Sequence, residues 1–275
     1  LYSSAASDVY KRQGLSLKNN PFDDFECETI DTNKEKLTIE EIESLKALQL
    51  EEGSLIWHTR NCFLLAFYCA GMRAGDLIQL RENNIIYENG RWRISYRMDK
   101  TGTLKEILLL PESMAIITKY VDLNSRTSKY IFPLLDNKAP YAKAATWEEK
   151  EQLPYELKKM LLQHTNSKNS LLNKYLGKLA TLAGIEKKIS MHIARHSFAN
   201  IARQKKANVY DISKALGHTS LKITETYLSK FDTTSQDATM KQVFDTNNID
   251  EELLIKQLQE IAPDKLRDIL KRIEK

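Results

Sequence analysis

Cysteine is scarce in this chain, with three residues in 275, at positions 27, 62 and 69. Cysteines so few and so scattered supply neither a disulfide framework nor the clustered ligands of a structural zinc site. The sequence also lacks a run of eighteen apolar residues and a charged leader followed by an apolar segment. These absences argue against a membrane-spanning helix and a secretory signal. We therefore expect a soluble protein of the cytoplasm, with no membrane partner.

A strong overall charge is absent too, because the net charge is only +4. The distribution is uneven, however: from Lys158 to Lys206, eleven lysine and arginine residues stand against one acid, Glu186. This excess predicts a face that can bind a polyanion, although a solvated charged surface would give the same composition. The length and the 42% hydrophobic content suffice for one good-sized domain with appendages.

The segment 190–204 places two candidate anion ligands on one predicted helix. Its apolar residues recur at helical spacing, so His192 and Arg195, three positions apart, are expected to project from one face near the helix start. A phosphate group would be bound well there, because basic side chains and free backbone N–H groups meet at such a position.

A histidine and a tyrosine follow. A second helix over 208–216 is predicted to end at Gly217, which suits a left-handed C-cap, and His218 comes next. A third helix is predicted to carry Tyr227 as the polar-tipped member of an apolar stripe. Taken singly, a tyrosine on such a face or a histidine after a glycine cap is more often structural than functional.

Taken together, His-x-x-Arg, then Leu-Gly-His, then a tyrosine nine residues on resemble the tyrosine recombinase (phage integrase) family. The order and spacing of three short patterns make the resemblance specific. It implies an α+β fold that is mainly α-helical, with a small three-stranded antiparallel sheet. It also implies an enzyme that cleaves and rejoins DNA strands through a 3′-phosphotyrosyl intermediate, and it requires an arginine and a lysine upstream.

Both upstream residues are present in the expected order. Arg73 lies in a stretch that fits the family pattern Gly-x-Arg-x-x-Glu/Asp-Leu-x-x-Leu, with Asp76 where glutamate is commoner. Lys100 lies in the second turn of a predicted antiparallel meander. Its strands are expected at 85–87, 92–96 and 107–110. Integrases are similar in placing a catalytic lysine in such a hairpin turn, often as Lys-Thr.

The resemblance assigns roles to these residues. Arg73 and Arg195 would clamp the non-bridging phosphate oxygens with paired, permanently charged donors. Tyr227 would be the nucleophile, a weak one at neutral pH, and His192 would accept its proton. Lys100 would protonate the departing 5′ oxygen.

The other histidines receive smaller roles. His218 would donate to a phosphate oxygen and orient the nucleophile. His196 is expected to pack or cap, and His58 and His164 lie outside every motif. The implied scheme requires no metal ion and no cofactor.

The chain is divided by interpretation into four parts. Residues 1–13 begin without methionine and lack periodicity, so we interpret them as a non-native leader. Residues 14–35 are interpreted as a linker, 36–245 as the catalytic domain and 246–275 as an amphipathic helical tail that packs in cis or on a neighbouring subunit. Because the resemblance begins at the catalytic domain, most of the family's preceding core-binding domain is expected to be absent.

Three further segments carry predictions of their own. Thr38 and Glu41 are expected to form a capping box at the first helix of the domain. The segment 136–165 is interpreted as an exposed insertion that contains some helix and carries no chemistry. Residues 171–183 are predicted to form an amphipathic helix with Lys174 and Lys178 outward.

The implied function is site-specific recombination of duplex DNA, for a phage or mobile element. The resemblance implies self-association as a tetramer on DNA, with accessory DNA-bending proteins as candidate partners. A type IB topoisomerase-like nick-and-reseal enzyme is an alternative, against which Leu-Gly-His and His-x-x-Arg-His argue. A catalytically inactive or accessory DNA-binding protein is a further alternative, disfavoured because all six positions hold the expected residue types.

Overall fold

The computed structural model describes residues 35–217. The predicted leader, the linker except for Glu35, the C-terminal tail and residues 218–245 of the predicted catalytic domain, with His218 and Tyr227, lie outside the described residues. The helices and strands of the described part are, in chain order, α1 (Ile39–Ala47), α2 (Leu55–Tyr68), α3 (Ala74–Ile78), β1 (Ile85–Glu88), β2 (Arg91–Arg97), β3 (Leu104–Leu108), α4 (Pro111–Ile117), α5 (Trp147–Glu151), α6 (Tyr155–Leu182), α7 (Met191–Gln204) and α8 (Val209–Leu216). Short 3₁₀ turns occupy Glu82–Asn84 and Pro140–Lys143. The predicted α+β class, mainly helical with one small sheet, is confirmed.

The central element is α2, which is buried on nearly every side. Its buried residues run almost without a break from Trp57 to Phe67. A helix that is apolar all round belongs in the interior, and α2 packs against α4, α6 and α7. The helix that carries Arg195 and the break that carries Arg73 are therefore built on the same core.

Hydrogen bonds and an ion pair hold the start of the domain against α7 and the loop before it. The predicted capping box is confirmed: Glu41 N donates to Thr38 Oγ1 at 3.3 Å, and Thr38 N donates to Glu41 Oε2 at 2.8 Å. Just before it, Leu37 N donates to the buried Ser197 Oγ at 2.8 Å. Lys187 Nζ reaches Glu41 Oε2 at 2.6 Å. These contacts fix the position of α7 from its outer side.

The sheet is the predicted antiparallel meander, in the order β1-β2-β3. Ile94 at its centre pairs with Ile85 on one side and Ile107 on the other. The third strand, however, begins at Leu104 rather than 107, because Met98 N donates to Thr103 O at 3.0 Å and closes the turn early. Lys100 consequently lies in the turn 99–103, as predicted, whereas Lys105 lies in a strand.

The segment before α6 differs from the exposed insertion that was expected. Tyr141 is 1% exposed, and the 3₁₀ turn around it packs against α6. The predicted helix over 171–183 is confirmed as the last part of α6, a helix of 28 residues. The helix expected within 136–165 is present as α5 and the start of α6, but only Leu161 and Thr165 are buried in the first half of α6, so the sequence did not show that the two predicted helical stretches form one long helix.

Arg81 holds this segment to the core. Its side chain is 2% exposed and stacks on the Tyr130 ring at 4.2 Å. The guanidinium donates to the Tyr130 hydroxyl and to the backbone carbonyls of Ser128, Ala142 and Ala144. One buried cation therefore donates to backbone carbonyls in several turns, where no α-helix or β-strand supplies donors for them.

We expect Arg81→Ala to lower the free energy of unfolding by about 3–5 kcal/mol, because it leaves several buried acceptors without a hydrogen-bond donor at once. Urea denaturation of both proteins measures the difference. Arg91→Ala removes an exposed arginine from β2 and is expected to change stability by less than about 0.5 kcal/mol. A loss below about 1 kcal/mol at Arg81 would contradict the role given to it.

Candidate active site

Arg195 is the fifth residue of α7 and is only 4% exposed. Its Nη1 donates to Gly71 O at 2.9 Å, and its Nη2 donates to Leu216 O. Gly71 has φ +67°, and a Cβ there would lie 2.7 Å from the Arg195 Cα. Only glycine therefore lets α7 approach the break after α2, and Arg195 joins that break to the end of α8.

Arg73 lies at the same break, immediately before α3. Its Nη1 lies 3.1 Å from the sulfur of Met98, which is 1% exposed. A Cβ at Gly217 would lie 2.8 Å from the Met98 methyl carbon and 2.9 Å from its sulfur, so the C-cap of α8 packs on the same side chain. Gly217 has φ +67°, which confirms the predicted left-handed cap. Met98 thus contacts both the Arg73 guanidinium and the end of α8, and brings Arg73 to that end of the helix.

Lys105 is a third cation at this point, and the sequence reasoning missed it. Its Nζ donates to the carbonyls of Lys214 and Ala215 in the last turn of α8. Burial lowers the pKa of Lys105 to about 8, helped by the positive charges of Arg195 and Arg73. Lys105 thus lies close enough to Arg195 and Arg73 for their charges to act on it, and a group of basic side chains of this kind is suited to binding an anion.

The strand register contains the signal that could have found Lys105. Lys105 pairs with Tyr96, two residues along from the pair of Ile94 with Ile107. Tyr96 and Ile94 are both buried, so this face of the sheet points inward. Starting the strand at 104 in the sequence would have placed Lys105 on that face.

Lys100 is exposed in the turn that was predicted for it. The turn is anchored to α3, because Asp99 N donates to Asp76 Oδ1 at 2.8 Å. Burial raises the pKa of Asp76, and this hydrogen bond and the nearby Arg73 oppose the shift. Asp76, the acidic residue of the family pattern, is therefore buried and holds the hairpin turn by a hydrogen bond.

His192 is exposed on the first turn of α7, whereas Arg195, three residues further along the helix, is buried. The ring of His192 meets that of the buried His196 edge to face at 4.5 Å, which agrees with the packing expected of His196. His58 and His164 bond to tyrosine hydroxyls at 3.0 Å and 2.9 Å elsewhere in the molecule.

Of the six predicted site residues, four are described. Arg73 and Arg195 are brought together with Lys105 at the end of α8; His192 lies on the helix of Arg195, and Lys100 on the neighbouring turn. Within residues 35–217, no three metal-ligating side chains gather into a possible metal site, and no helix has the length and apolar character needed to cross a membrane. His218 and Tyr227 follow Gly217 in sequence, beyond the described residues.

The lowered pKa of Lys105 predicts a pH dependence of stability. Between about pH 8 and pH 10.5 the unfolded chain holds a proton on Lys105 that the folded chain has released. The free energy of unfolding of the wild type, relative to Lys105→Met, is therefore expected to rise across this window. Urea denaturation of both proteins at about pH 7 and about pH 10 checks it. A constant difference would contradict the predicted shift.

Comparison with known proteins identifies the class of fold. Residues 35–234 match the model of the phage integrase family, and the chain belongs to this family. It is 28% identical over 206 residues to a tyrosine recombinase of Thermosipho africanus (strain TCF52B), which covers 74% of this chain and 60% of the relative. It is 26% identical over 201 residues to tyrosine recombinase XerD of Chlorobaculum tepidum, covering 70% and 56% respectively. The chain thus spans little more than half the length of these relatives.

Solved structures show the same fold at lower identity. The Tn1549 transposon integrase in complex with transposon right end DNA has a TM-score of 0.52 and 14% identity, over 87% of this chain and 84% of that one. The same integrase in complex with a circular intermediate DNA gives a TM-score of 0.53 and 16% identity, over 86% and 76%. This likeness shows that the chain has the fold of the tyrosine recombinases.

Proposed function

We propose that this protein is a site-specific DNA recombinase of a phage or mobile element that works through a 3′-phosphotyrosyl intermediate on Tyr227. The observation that carries the proposal is the convergence of Arg73, Arg195 and Lys105 at the end of α8. The names of the two relatives and the DNA complexes of the Tn1549 integrase support it.

The proposed step exchanges one phosphoester bond for another. The Tyr227 oxygen attacks the phosphorus, the bond from phosphorus to the 5′ oxygen breaks, and the 3′ phosphate remains on the tyrosine. Arg73 and Arg195 neutralise the charge that grows on the non-bridging oxygens. Because these guanidinium groups supply the neutralising charge, we propose that the reaction needs no metal ion.

Proton transfers accompany both bond changes. His192 accepts the proton of the tyrosine hydroxyl, and Lys100 gives a proton to the departing 5′ oxygen. His218 donates to a phosphate oxygen and orients the nucleophile. The phosphotyrosyl bond conserves the energy of the broken ester, so a 5′ hydroxyl of another strand can reverse the step and complete strand exchange.

Duplex DNA is the proposed substrate. Lys159, Lys174 and Lys178 are exposed on α6, and such side chains bind phosphates with an affinity that falls steeply with salt. We further propose that the protein acts in the bacterial cytoplasm, as a tetramer on two duplexes, with accessory DNA-bending proteins as candidate partners. These assignments rest on the family.

Trapping the intermediate tests the proposal. The protein is incubated in EDTA with nicked suicide duplexes that carry candidate attachment sites, and a protein–DNA adduct is sought on a denaturing gel. Mass mapping of the adduct is expected to place the nucleotide on Tyr227. An adduct that forms only after metal is added would contradict metal independence, and one on another residue would contradict the mechanism.

The same experiment separates the two alternatives. Retention of DNA without an adduct on any site duplex would favour a DNA-binding protein that lacks catalysis. An adduct that reseals only onto its own strand, with no recombinant product from two site duplexes, would favour a nick-and-reseal enzyme.

A further inference from the structure

The turn that carries Lys100 is in contact with α5. This helix lies in the segment 136–165, for which no chemical role was predicted. The indole of Trp147 lies on the backbone of Gly102: a Cβ at that glycine would be 3.0 Å from Trp147 Cζ2 and 3.3 Å from Cη2. Gly102 has φ +66°, which suits glycine at the close of the turn. The ring can rest on the turn because Gly102 has no side chain.

A charged contact joins the same two elements. Arg97, the last residue of β2, places its Nε 2.7 Å from Glu148 Oε1 and donates from Nη1 to Gly102 O at 3.1 Å. Both side chains are about half exposed, at 43% and 56%, so the pair adds little stability by itself. It does orient Arg97, which holds the carbonyl of the residue that the indole covers.

The other end of the turn is held by α3. Asp76 Oδ1 accepts from Asp99 N at 2.8 Å, on the opposite side of Lys100 from Gly102. Lys150 Nζ donates to Gln79 Oε1 at 3.0 Å, which fastens α5 to the end of α3. Contacts with α3 at Asp99 and with α5 at Gly102 therefore hold the turn on both sides of Lys100.

A cavity of about 270 Å³ lies against this arrangement, lined in part by Asp76, Tyr96, Leu104, Trp147 and Lys150. Asp76 Oδ2 and Trp147 Nε1 are buried and have no hydrogen-bond partner among the described residues. Packed side chains therefore do not fill the space beside the turn, and the indole is one of its walls. Removing the indole would enlarge the space available to the turn.

We infer that Trp147 is a positioning residue, which holds the turn 99–103 and so fixes where Lys100 can deliver its proton. The inference rests on the proposed function, because the position of Lys100 matters only if that lysine protonates the 5′ oxygen. It gives α5 a task in the reaction, although α5 contributes no group that touches the reacting atoms.

The test compares Trp147→Ala with the wild type at saturating suicide duplex, in the full-length protein. The rate of adduct formation is expected to fall by about 10- to 100-fold, the scale of a misplaced catalytic group, with the Kd for DNA changed by less than about twofold. Trp147→Phe keeps an aromatic ring and is expected to recover most of the rate. If Trp147→Ala does not fold, Trp147→Leu supplies the measurement.

Trp92→Ala is the matched control. Trp92 is a half-buried tryptophan on β2 of the same sheet, where it stacks on Tyr87 at 4.9 Å, away from the turn. Its removal is expected to leave the rate of adduct formation unchanged. A slowing equal to that of Trp147→Ala would show that any loss of a ring from the sheet suffices, and would overturn the inference.

A leaving group that needs no proton gives the decisive readout. In a duplex with a bridging 5′ sulfur at the scissile bond, the thiolate leaves unprotonated because thiols are far more acidic than alcohols. Lys100→Ala and Trp147→Ala are both expected to regain wild-type rates on this substrate. On normal DNA, the double variant should be no slower than Lys100→Ala alone.

The outcomes distinguish a failure of the role inferred for Trp147 from a failure of the role proposed for Lys100. If Trp147→Ala remains slow on the sulfur substrate, or if it is as fast as the wild type on normal DNA while Lys100→Ala is slow, the inference is wrong and the proposed function stands. If Lys100→Ala is itself as fast as the wild type on normal DNA, the role proposed for Lys100 fails, and the inference fails with it.

Discussion

Tyr227→Phe is expected to leave no detectable covalent protein–DNA adduct. The substitution removes only the hydroxyl oxygen, which is the atom that would bond to phosphorus, and no other atom of the ring can replace it. Because the aromatic ring remains, we expect the Kd for site DNA to change by less than about twofold. The adduct is measured on denaturing gels with suicide duplexes, and DNA retention by mobility shift at the same salt concentration.

Tyr210→Phe is the matched control for this prediction. Tyr210 lies on α8 and is 59% exposed, so it tests whether loss of a tyrosine hydroxyl close in sequence is sufficient. It is expected to form adduct at the wild-type rate. Equal loss of adduct and of DNA retention in Tyr227→Phe would contradict the assignment of Tyr227 as nucleophile, because it would indicate a structural role.

Arg195→Lys is expected to slow adduct formation by about 10²- to 10³-fold, the usual cost of losing one donor to a developing oxyanion. Lysine keeps the positive charge but lacks the planar fork that reaches Gly71 O and Leu216 O together. At least one of these buried carbonyls would lose its donor, which costs about 1–3 kcal/mol of stability. The rate is therefore measured well below the unfolding transition of the variant.

Two further variants show whether geometry or charge is responsible. Gly71→Ala keeps the charge and the guanidinium of Arg195 but sets a Cβ 2.7 Å from the Arg195 Cα, so it should slow the reaction by displacing α7 and the arginine with it. Arg203→Lys, in the last turn of the same helix, makes the same exchange away from the break and is expected to have no effect on the rate. Wild-type activity in Arg195→Lys would contradict the clamp.

Local signals predicted the parts of this fold that local physics determines. The capping box at Thr38 depends on residues three apart, and the left-handed cap at Gly217 depends on one backbone angle. The hairpin turn around Lys100 was likewise found from its own residues. Each of these features is decided within a few positions of the chain, where sequence patterns are most informative.

The features that were missed depend on distant partners. The burial of Arg81 requires carbonyls from residues 128, 142 and 144, and the sequence around Arg81 does not predict these partners. Lys105 gains its place in the site from the last turn of α8, more than a hundred positions away. The contact of Trp147 with Gly102 joins two segments that were interpreted separately. Tertiary packing, rather than propensity, decides all three.

The last turn of α8 also explains how three cations stay together in the protein without DNA. The C-terminal end of a helix carries about half a negative charge, and here its carbonyls accept from Lys105 and Arg195. The helix dipole thus acts as a built-in counterion that offsets the repulsion among the basic groups. The phosphate of the proposed DNA substrate would have to compete with these carbonyls for the donors of Lys105 and Arg195, so the net gain on binding would be smaller than for three basic groups that lack an internal partner.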